Sequence, residues 1–549
     1  MNIRNTIMAL VALFAFQTLA AQEYTPSYKL IDAPGYYYED YAVATYNVLD
    51  YGVDNTGTQD CTAEVQKLLD ACGGVGIGST SRGDYRNPAG GTLYFPAGRY
   101  LFKGQLVIPR GVSIRGDWKR PTPGDAKVEG TIFAVQPTRG KGVTSSNYAF
   151  IIMQPTTLIS NISFWYPEQN PASIKKYPAT VLYGQNGYWG NDYCNVRHCT
   201  FVNSYIGVQV NGGGGCPNVA DLYGTPLFEG IEIDGIADVG RFDGLNFAAS
   251  YWENSGLPGA PSVGQVDQWL YDNATAVVMR RNDWSYTCNL TVKGYKAGFH
   301  AEASPTEGSP NGHNYGFDLD GCRTGVLVTS SSGSGIMFAD VTTRNCGTGV
   351  SLMSGASGPV QFYGCKFGAS GKAIEMASNA TSALMFQDCE MTAPVNVGGG
   401  HFQAVNNSFS ADVTVDPQAR IIFTDNKFTG NAQLHNNSLF KCVEEKSTGY
   451  TYPKLPTYEK SWMSVRTTTP ARKALYVVTD AEFGAKPFTD IALEPSTQTD
   501  CAAAIQKALD KAAADGGGVV YLPTGHYPCR TELSIPTFVE LKGSADIPT

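Results

Sequence analysis

Charged residues are scarce in this chain, at 16% of 549 residues, and histidine is scarcer still, with six copies. The balance of those few charges is acidic, a formal −9 at pH 7. That argues against a nucleic-acid polyanion as partner and sits more comfortably with uncharged than with strongly acidic glycans. Among the thirteen cysteines no Cys-x-x-Cys pair occurs. The usual sequence signature of a zinc or thiol-redox centre is therefore missing, and no metal or other cofactor is expected. Long apolar runs are missing as well, with one exception at the start, MNIRNTIMALVALFAFQTLAAQ. Its basic Arg4, apolar stretch 7–19 and small Ala20 and Ala21 read as a secretory signal peptide over residues 1–21, too short to serve as a membrane span. No cysteine follows the small residues to carry a lipid, so the expected location is secreted or periplasmic, with no membrane insertion.

What the chain has instead is turns and rings. Its 61 glycines, 31 tyrosines and 25 phenylalanines suit a β protein of many turns and stacked side chains better than a helical bundle. The length exceeds that of an ordinary single core, a ceiling that a solenoid escapes because each coil packs only on its neighbours. A segment near the start also returns near the end. Residues 46–116 contain DCTAEVQKLLD and GGTLYFPAGRY, and residues 476–543 contain DCAAAIQKALD and GGGVVYLPTGHY. Asp60-Cys61 matches Asp500-Cys501, and Pro96, Gly98, Tyr100, Pro109 and Gly116 match Pro523, Gly525, Tyr527, Pro536 and Gly543. A repeat of this length implies two copies of one structural unit, the second expected to be either an incomplete domain or a terminal plug. In each copy an aspartate precedes apolar residues at helical spacing, which predicts a short capped helix over 62–70 and 502–510. Gly-Gly, a short strand, a Pro-x-Gly turn and a further strand pair follow.

This succession resembles the amino-terminal segment of the pectate-lyase superfamily. The resemblance implies an all-β fold, a right-handed parallel β-helix solenoid with a short N-terminal capping helix, followed by the start of a second β-helix unit. The spacing of a second pattern agrees. Cys199, Cys365, Cys389, Asn407 and Asn426 each stand two residues before a large apolar residue, and from Cys365 onward they recur at 24, 18 and 19 residues, close to one coil. Such residues are expected to stack inside the coil, so packing is the expected role of most cysteines. The organisation read from the chain is a signal peptide (1–21), a Tyr-rich lead-in (22–44), a β-helix (45–446), a Pro- and Thr-rich linker (447–475) and the start of a second unit (476–549). Short strands are predicted at 276–279, 325–328, 336–338, 360–363 and 420–423.

Two tandem units, each introduced by the same segment, resemble the double β-helix of the family 55 glycoside hydrolases. The resemblance implies a cleft where the helices meet, with the acid glutamate on the second. The first-helix stretch comparable to that family's water-positioning residues reads YIGVQVNGGGGCPNVADLYGTPLFEG here, so no catalytic residue is carried over. The polygalacturonase elements N-T-D, D-D, G-H-G and R-I-K are also missing, Gly312-His313-Asn314 being the nearest. The expected function is that of an exported carbohydrate-active protein, a glycoside hydrolase cleaving polysaccharide, β-glucan included, with a carboxylate acid/base pair. Two alternatives stand beside it: a polysaccharide lyase acting by β-elimination, and a non-catalytic glycan-binding scaffold.

Hydrolysis of a glycoside needs one protonated and one ionised carboxyl. Acids are densest in EGIEIDGIADVGRFDGLNFAASYWE, residues 229–253. Ile231, Ile233 and Ile236 make Glu232 and Asp234 read as solvated strand residues. Asp243 and Glu253 fit that alternation less well and are the candidate catalytic pair, with Tyr251 and Trp252 as candidate rings against the sugar. The stretch RRNDW adds Arg281 and Trp284 as candidate substrate-binding residues, since only one of Arg280 and Arg281 can point outward on a straight strand. His300 and Glu302, two apart, read as a hydrogen-bonded pair on one strand face.

Overall fold

The computed structural model describes residues 24–544 apart from 39, 74–89, 123, 137–147, 185–191, 212–213, 307, 445–449, 455–469 and 491–492. The expected signal peptide (1–21) and much of the expected linker (447–475) lie outside the described residues. From Tyr46 to Glu444 short strands pair in parallel with the strands one coil away, which makes a right-handed parallel β-helix with three faces. Sheet I runs from Gly91–Phe95 through Val360–Tyr363 to Phe440–Glu444. Sheet II runs from Gly98–Phe102 to Lys427–Phe428, and sheet III from Leu106–Ile108 to Leu434–Asn436. Ile336–Leu352 passes through all three faces of one coil, pairing with Val360–Tyr363 and then with Lys366–Met376. Each predicted short strand falls within an observed one. Among the described residues no helix is long and apolar enough to cross a membrane.

Alternation along each strand sends one column of side chains inward. On sheet III, Val208, Ile231, Val277, Phe299, Val326 and Val350 succeed one another in register, all buried. Phe338, Phe362 and Phe386 form another column, with ring centroids 4.8 and 5.1 Å apart and planes within 11°. Those separations are set by the inter-strand spacing of about 4.8 Å.

Sheets I and II join through a single residue of left-handed backbone. His198, Asp221, Asn289, Asp340, Asp388, Asn406 and Asp425 have φ between 52° and 58°, and Gly244, Gly316 and Gly364 take the same place. Asn, Asp and Gly adopt that geometry at little cost. The next residue turns inward, and there the Cys and Asn pattern does its work. Asn426 Oδ1 accepts from Asn407 N at 2.9 Å, Asn407 Oδ1 from Cys389 N at 2.8 Å, Cys389 Sγ from Cys365 N at 3.4 Å and Cys365 Sγ from Val341 N at 3.4 Å. Backbone donors stranded at the bend are thus satisfied from coil to coil. No disulfide joins any of the thirteen cysteines, and ten of them are buried.

The repeated segment is the same object twice. Asp60 Oδ1 accepts from Thr62 N at 3.0 Å and Asp500 Oδ1 from Ala502 N at 3.1 Å, capping the helices Thr62–Gly73 and Ala502–Ala514. Gln66 bonds both backbone groups it faces around Val107 as Gln506 does around Ser534, and Tyr100 and Tyr527 each donate 2.7 Å to the carbonyl of the Pro four residues earlier. The second copy adds a three-stranded parallel sheet, Leu475–Val477, Gly518–Leu522 and Val539–Gly543. The Tyr-rich lead-in, left without a structure in the sequence reading, lies between the copies. Its antiparallel pair Lys29–Leu30 and Val43–Ala44 packs Val43 against Val477, Val519 and Tyr521. Asp40 is bridged at 2.9 Å by Arg115 of the first unit and at 3.0 Å by Lys542 of the second. Burial opposes its ionisation, yet the two cations outweigh that and hold the carboxyl well below the usual range.

Asn407→Ala leaves the amide of Cys389 without its acceptor, and is expected to cost about 1–3 kcal/mol in urea unfolding. Asn407→Cys, which reproduces the side chain used at Cys365 and Cys389, is expected to cost less, and equal losses would show that the bend is not what the side chain supports.

Candidate active site

The outer surface of sheet III carries the densest constellation of titratable groups among the described residues. Two adjacent columns build it. Gln209, Glu232, Val278, His300 and Leu327 are aligned in register and alternate with the inward valine and phenylalanine column. One step past the strand, Asp234, Arg280, Glu302 and Thr329 each donate their backbone N–H to the preceding coil, to Val210, Ile233, Met279 and Ala301, so they form a second column. Arg280 sits at the centre. Its Nε donates to Glu302 Oε1 at 2.7 Å, its Nη2 reaches the same oxygen at 2.6 Å, and its Nη1 donates to Glu232 Oε1. Gln209 Nε2 donates to Glu232 Oε2 at 2.6 Å. His300 Nδ1 lies 3.3 Å from Glu302 Oε2, and its Nε2 is 2.9 Å from Thr329 Oγ1.

Glu229 completes the group from the start of the same strand. It is half-buried and lies close enough to Glu232 for the two carboxyls to interact. Burial first, and then the charge of Glu232, push it up to about 8, against the partial relief from Arg280. Glu229 therefore keeps its proton near neutrality, beside a Glu232 that is hydrogen-bonded by Arg280 and Gln209. Asp234, also raised by burial, accepts from Ser304 Oγ at 3.1 Å. Burial pulls His300 below its ordinary value, with Glu302 opposing, and so favours the neutral imidazole. The arrangement holds a proton donor, an Arg-paired carboxylate and an imidazole favoured in its neutral form on one strand face, which are the parts of general acid–base chemistry.

The residues singled out from sequence fall elsewhere. Glu232 and Asp234, read as solvated, are 5% and 4% exposed, because the face that carries them is roofed by Arg280, Gln209 and Ser304. Asp243 lies on sheet I, 2% exposed, and accepts from Asn289 Nδ2 at 2.7 Å. Glu253 ends the helix Ser250–Glu253 beyond sheet II, where its Oε1 accepts from Gly264 N at 2.6 Å. The two therefore stand on different faces and do not converge. Trp252 is wholly enclosed and Tyr251 nearly so, the latter edge-on to Tyr223; apolar burial, which the sequence reading weighed less than a sugar contact, places them in the packing. A bend after Met279 lets both arginines of RRNDW turn away from the core. Arg280 enters the cluster, and Arg281 donates to the carbonyl of Ile236 and, at 3.1 Å, to Asp283. Trp284 is exposed on sheet I beside His313, which also stacks on Tyr286.

Sequence reasoning found the His300–Glu302 pair but missed Glu229 and Glu232. The available signal was the spacing of one coil, 22 residues, between Arg280 and Glu302 and between Val278 and His300. Between Glu232 and Val278 it is masked by an insertion that contains the helices Ser250–Glu253 and Asp267–Asn273. A second missed group packs at the bend between sheets I and II, where Asp221 accepts from Arg120, from Tyr223 at 2.8 Å and pairs with His198 at 3.0 Å beneath the Trp118 ring.

Residues 45–165 and 488–549, both copies of the repeat, match the family model described as rhamnogalacturonase A/epimerase, pectate lyase-like. No curated protein matches. The chain is similar in structure to the mannuronan C-5 epimerase AlgE4 A-module of Azotobacter vinelandii, with 14% identity over 72% of this chain and 99% of that one, TM-score 0.40. It is also similar to the catalytic unit of a GH87 α-1,3-glucanase of Streptomyces thermodiastaticus, at 14% identity, 76% and 71% coverage and TM-score 0.36. A DFA-IIIase of Arthrobacter chlorophenolicus matches at 12% identity, 73% and 94% coverage and TM-score 0.30. The protein is a parallel β-helix with a pectate lyase-like segment in each copy of the repeat.

Glu229 supplies a stability signature. Its folded value of about 8 stands above the ordinary 4.5, so its contribution is fully present below the lower value and is lost as pH rises through the upper one. Urea midpoints are expected to fall between about pH 5 and pH 8, with a shallower slope in Glu229→Gln. An unchanged slope would mean that Glu229 titrates as a solvent-exposed carboxyl.

Proposed function

We propose that this protein is a glycoside hydrolase acting on polysaccharide, with its acid–base machinery on the outer face of sheet III. The observation that carries the reading is the cluster of Glu229, Glu232, Arg280, His300 and Glu302 on sheet III, in which burial keeps a proton on Glu229 near neutrality. Glu229 gives that proton to the departing glycosidic oxygen. Glu302, ion-paired to Arg280 and flanked by His300, takes a proton from the water that attacks the sugar carbon, so one carboxyl is spent as the other is charged. Arg280 and Glu232 position the pair. The pectate lyase-like family match over residues 45–165 and 488–549 supports a polysaccharide-handling fold.

The test is product analysis with purified protein on a panel of polysaccharides. New reducing ends without unsaturated sugars are expected, and Glu229→Gln is expected to lower kcat by about 10²–10⁴-fold. Activity is expected to fall as pH rises through about 8, where Glu229 loses its proton. Unsaturated uronate products, or full activity in Glu229→Gln, would overturn the reading.

A further inference from the structure

A second feature lies just outside sheet III and has no part in the acid–base cluster. The insertion between the strands Arg241–Phe247 and Thr275–Met279 stands off the surface and closes one side of a groove of about 710 Å³, within the range of roughly 300–1,000 Å³ usual for ligand sites. Its helix Asp267–Asn273 has two uses. Trp269 Nε1 donates to Leu227 O at 2.8 Å, two residues before Glu229, which anchors the helix beside the cluster. Gln268 and Tyr271 of the same helix line the groove. The opposite wall is made by successive coils at the exit of sheet II. Lys293 is in register with Asp320, Gly294 N donates to Asp320 O at 2.9 Å, and Asn345 Nδ2 donates to Asp320 Oδ1 at 2.8 Å. These polar groups therefore recur once per coil, about every 4.8 Å, along the length of the groove.

The geometry points to a binding groove for an uncharged oligosaccharide chain, held apart from the place of bond cleavage. Carboxylates and amides (Glu253, Asp320, Gln268, Asn345) offer the paired acceptors and donors that hydroxyl-rich rings need, and Tyr271 offers a ring face. Charge decides between glycan classes. Glu253, Asp267 and Asp320 face the groove against one cation, Lys293, so a polyuronate or sulfated chain meets like charge, a mismatch that selects against it. The periodic wall suits a polymer that presents a similar set of hydroxyls at each repeat. This inference goes beyond the proposed hydrolysis, because it concerns binding and holds with or without turnover.

Calorimetric titration of the full chain with short neutral gluco-oligosaccharides, oligogalacturonate and chitosan oligomers tests it. The neutral oligomers are expected to bind, and oligogalacturonate at least about tenfold more weakly. Gln268→Ala and Asn345→Ala, both at exposed positions, are expected to weaken neutral binding about tenfold with unchanged thermal unfolding. Running the same titrations on Glu229→Gln separates the two readings, since binding there is expected to match the natural chain even where turnover is lost. Failure of all neutral oligomers to bind, tighter binding of either charged oligomer, or natural affinity in both groove variants would overturn the inference.

Discussion

Coil-to-coil backbone hydrogen bonding in strict parallel register is the constraint on which the rest of this protein depends. A parallel strand cannot satisfy its amides alone, and in a solenoid each coil is the only partner of the next. Every departure from regular strand must therefore leave the register intact one coil later. The single left-handed residue between sheets I and II does so by changing direction without adding length, and the Cys and Asn side chains that follow it return the amides lost there.

The same constraint builds the candidate site. Register places Glu232 and His300 in one outward column with Val278 between them, and Arg280 and Glu302 in the next. No loop is needed to bring these side chains together; repetition does it. Because both neighbours of each residue are fixed, Arg280 is held between two carboxylates, and the contact between Glu229 and Glu232 cannot relax by moving a strand. The raised Glu229 follows first from its burial and then from the nearby charge of Glu232. Insertions are the fold's other resource. The excursion holding Asp267–Asn273 leaves and rejoins the stack in register, adding a wall to the surface without disturbing the core.

Much of the fold was legible in the residues. The helix capped by Asp60, its copy capped by Asp500, the strands at 276–279 and 360–363, and the Cys and Asn columns all rest on short-range spacing that a linear chain displays directly. The site was legible only in fragments. His300 and Glu302 are two residues apart and could be paired by eye, whereas Glu232 and Arg280 meet across 48 positions with an insertion of unknown depth between them. Alternation within EGIEIDG correctly turned Ile231 and Ile233 inward, but it could not say that the outward face would be covered. Tyr251 and Trp252 failed for the converse reason: rings beside acids suit a sugar site and a core equally well until their neighbours are known.

By itself, then, the sequence determined a parallel β-helix, its capping helix, the repetition of that opening and the interior columns, because each is written in periodicities no longer than one coil. Only the tertiary structure decided which acids share a face, which of two adjacent arginines joins them and that the lead-in fastens the second copy to the first through Asp40. Those outcomes depend on the number of residues inserted between coils and on which surface another segment covers, and neither quantity has a local signature in the chain.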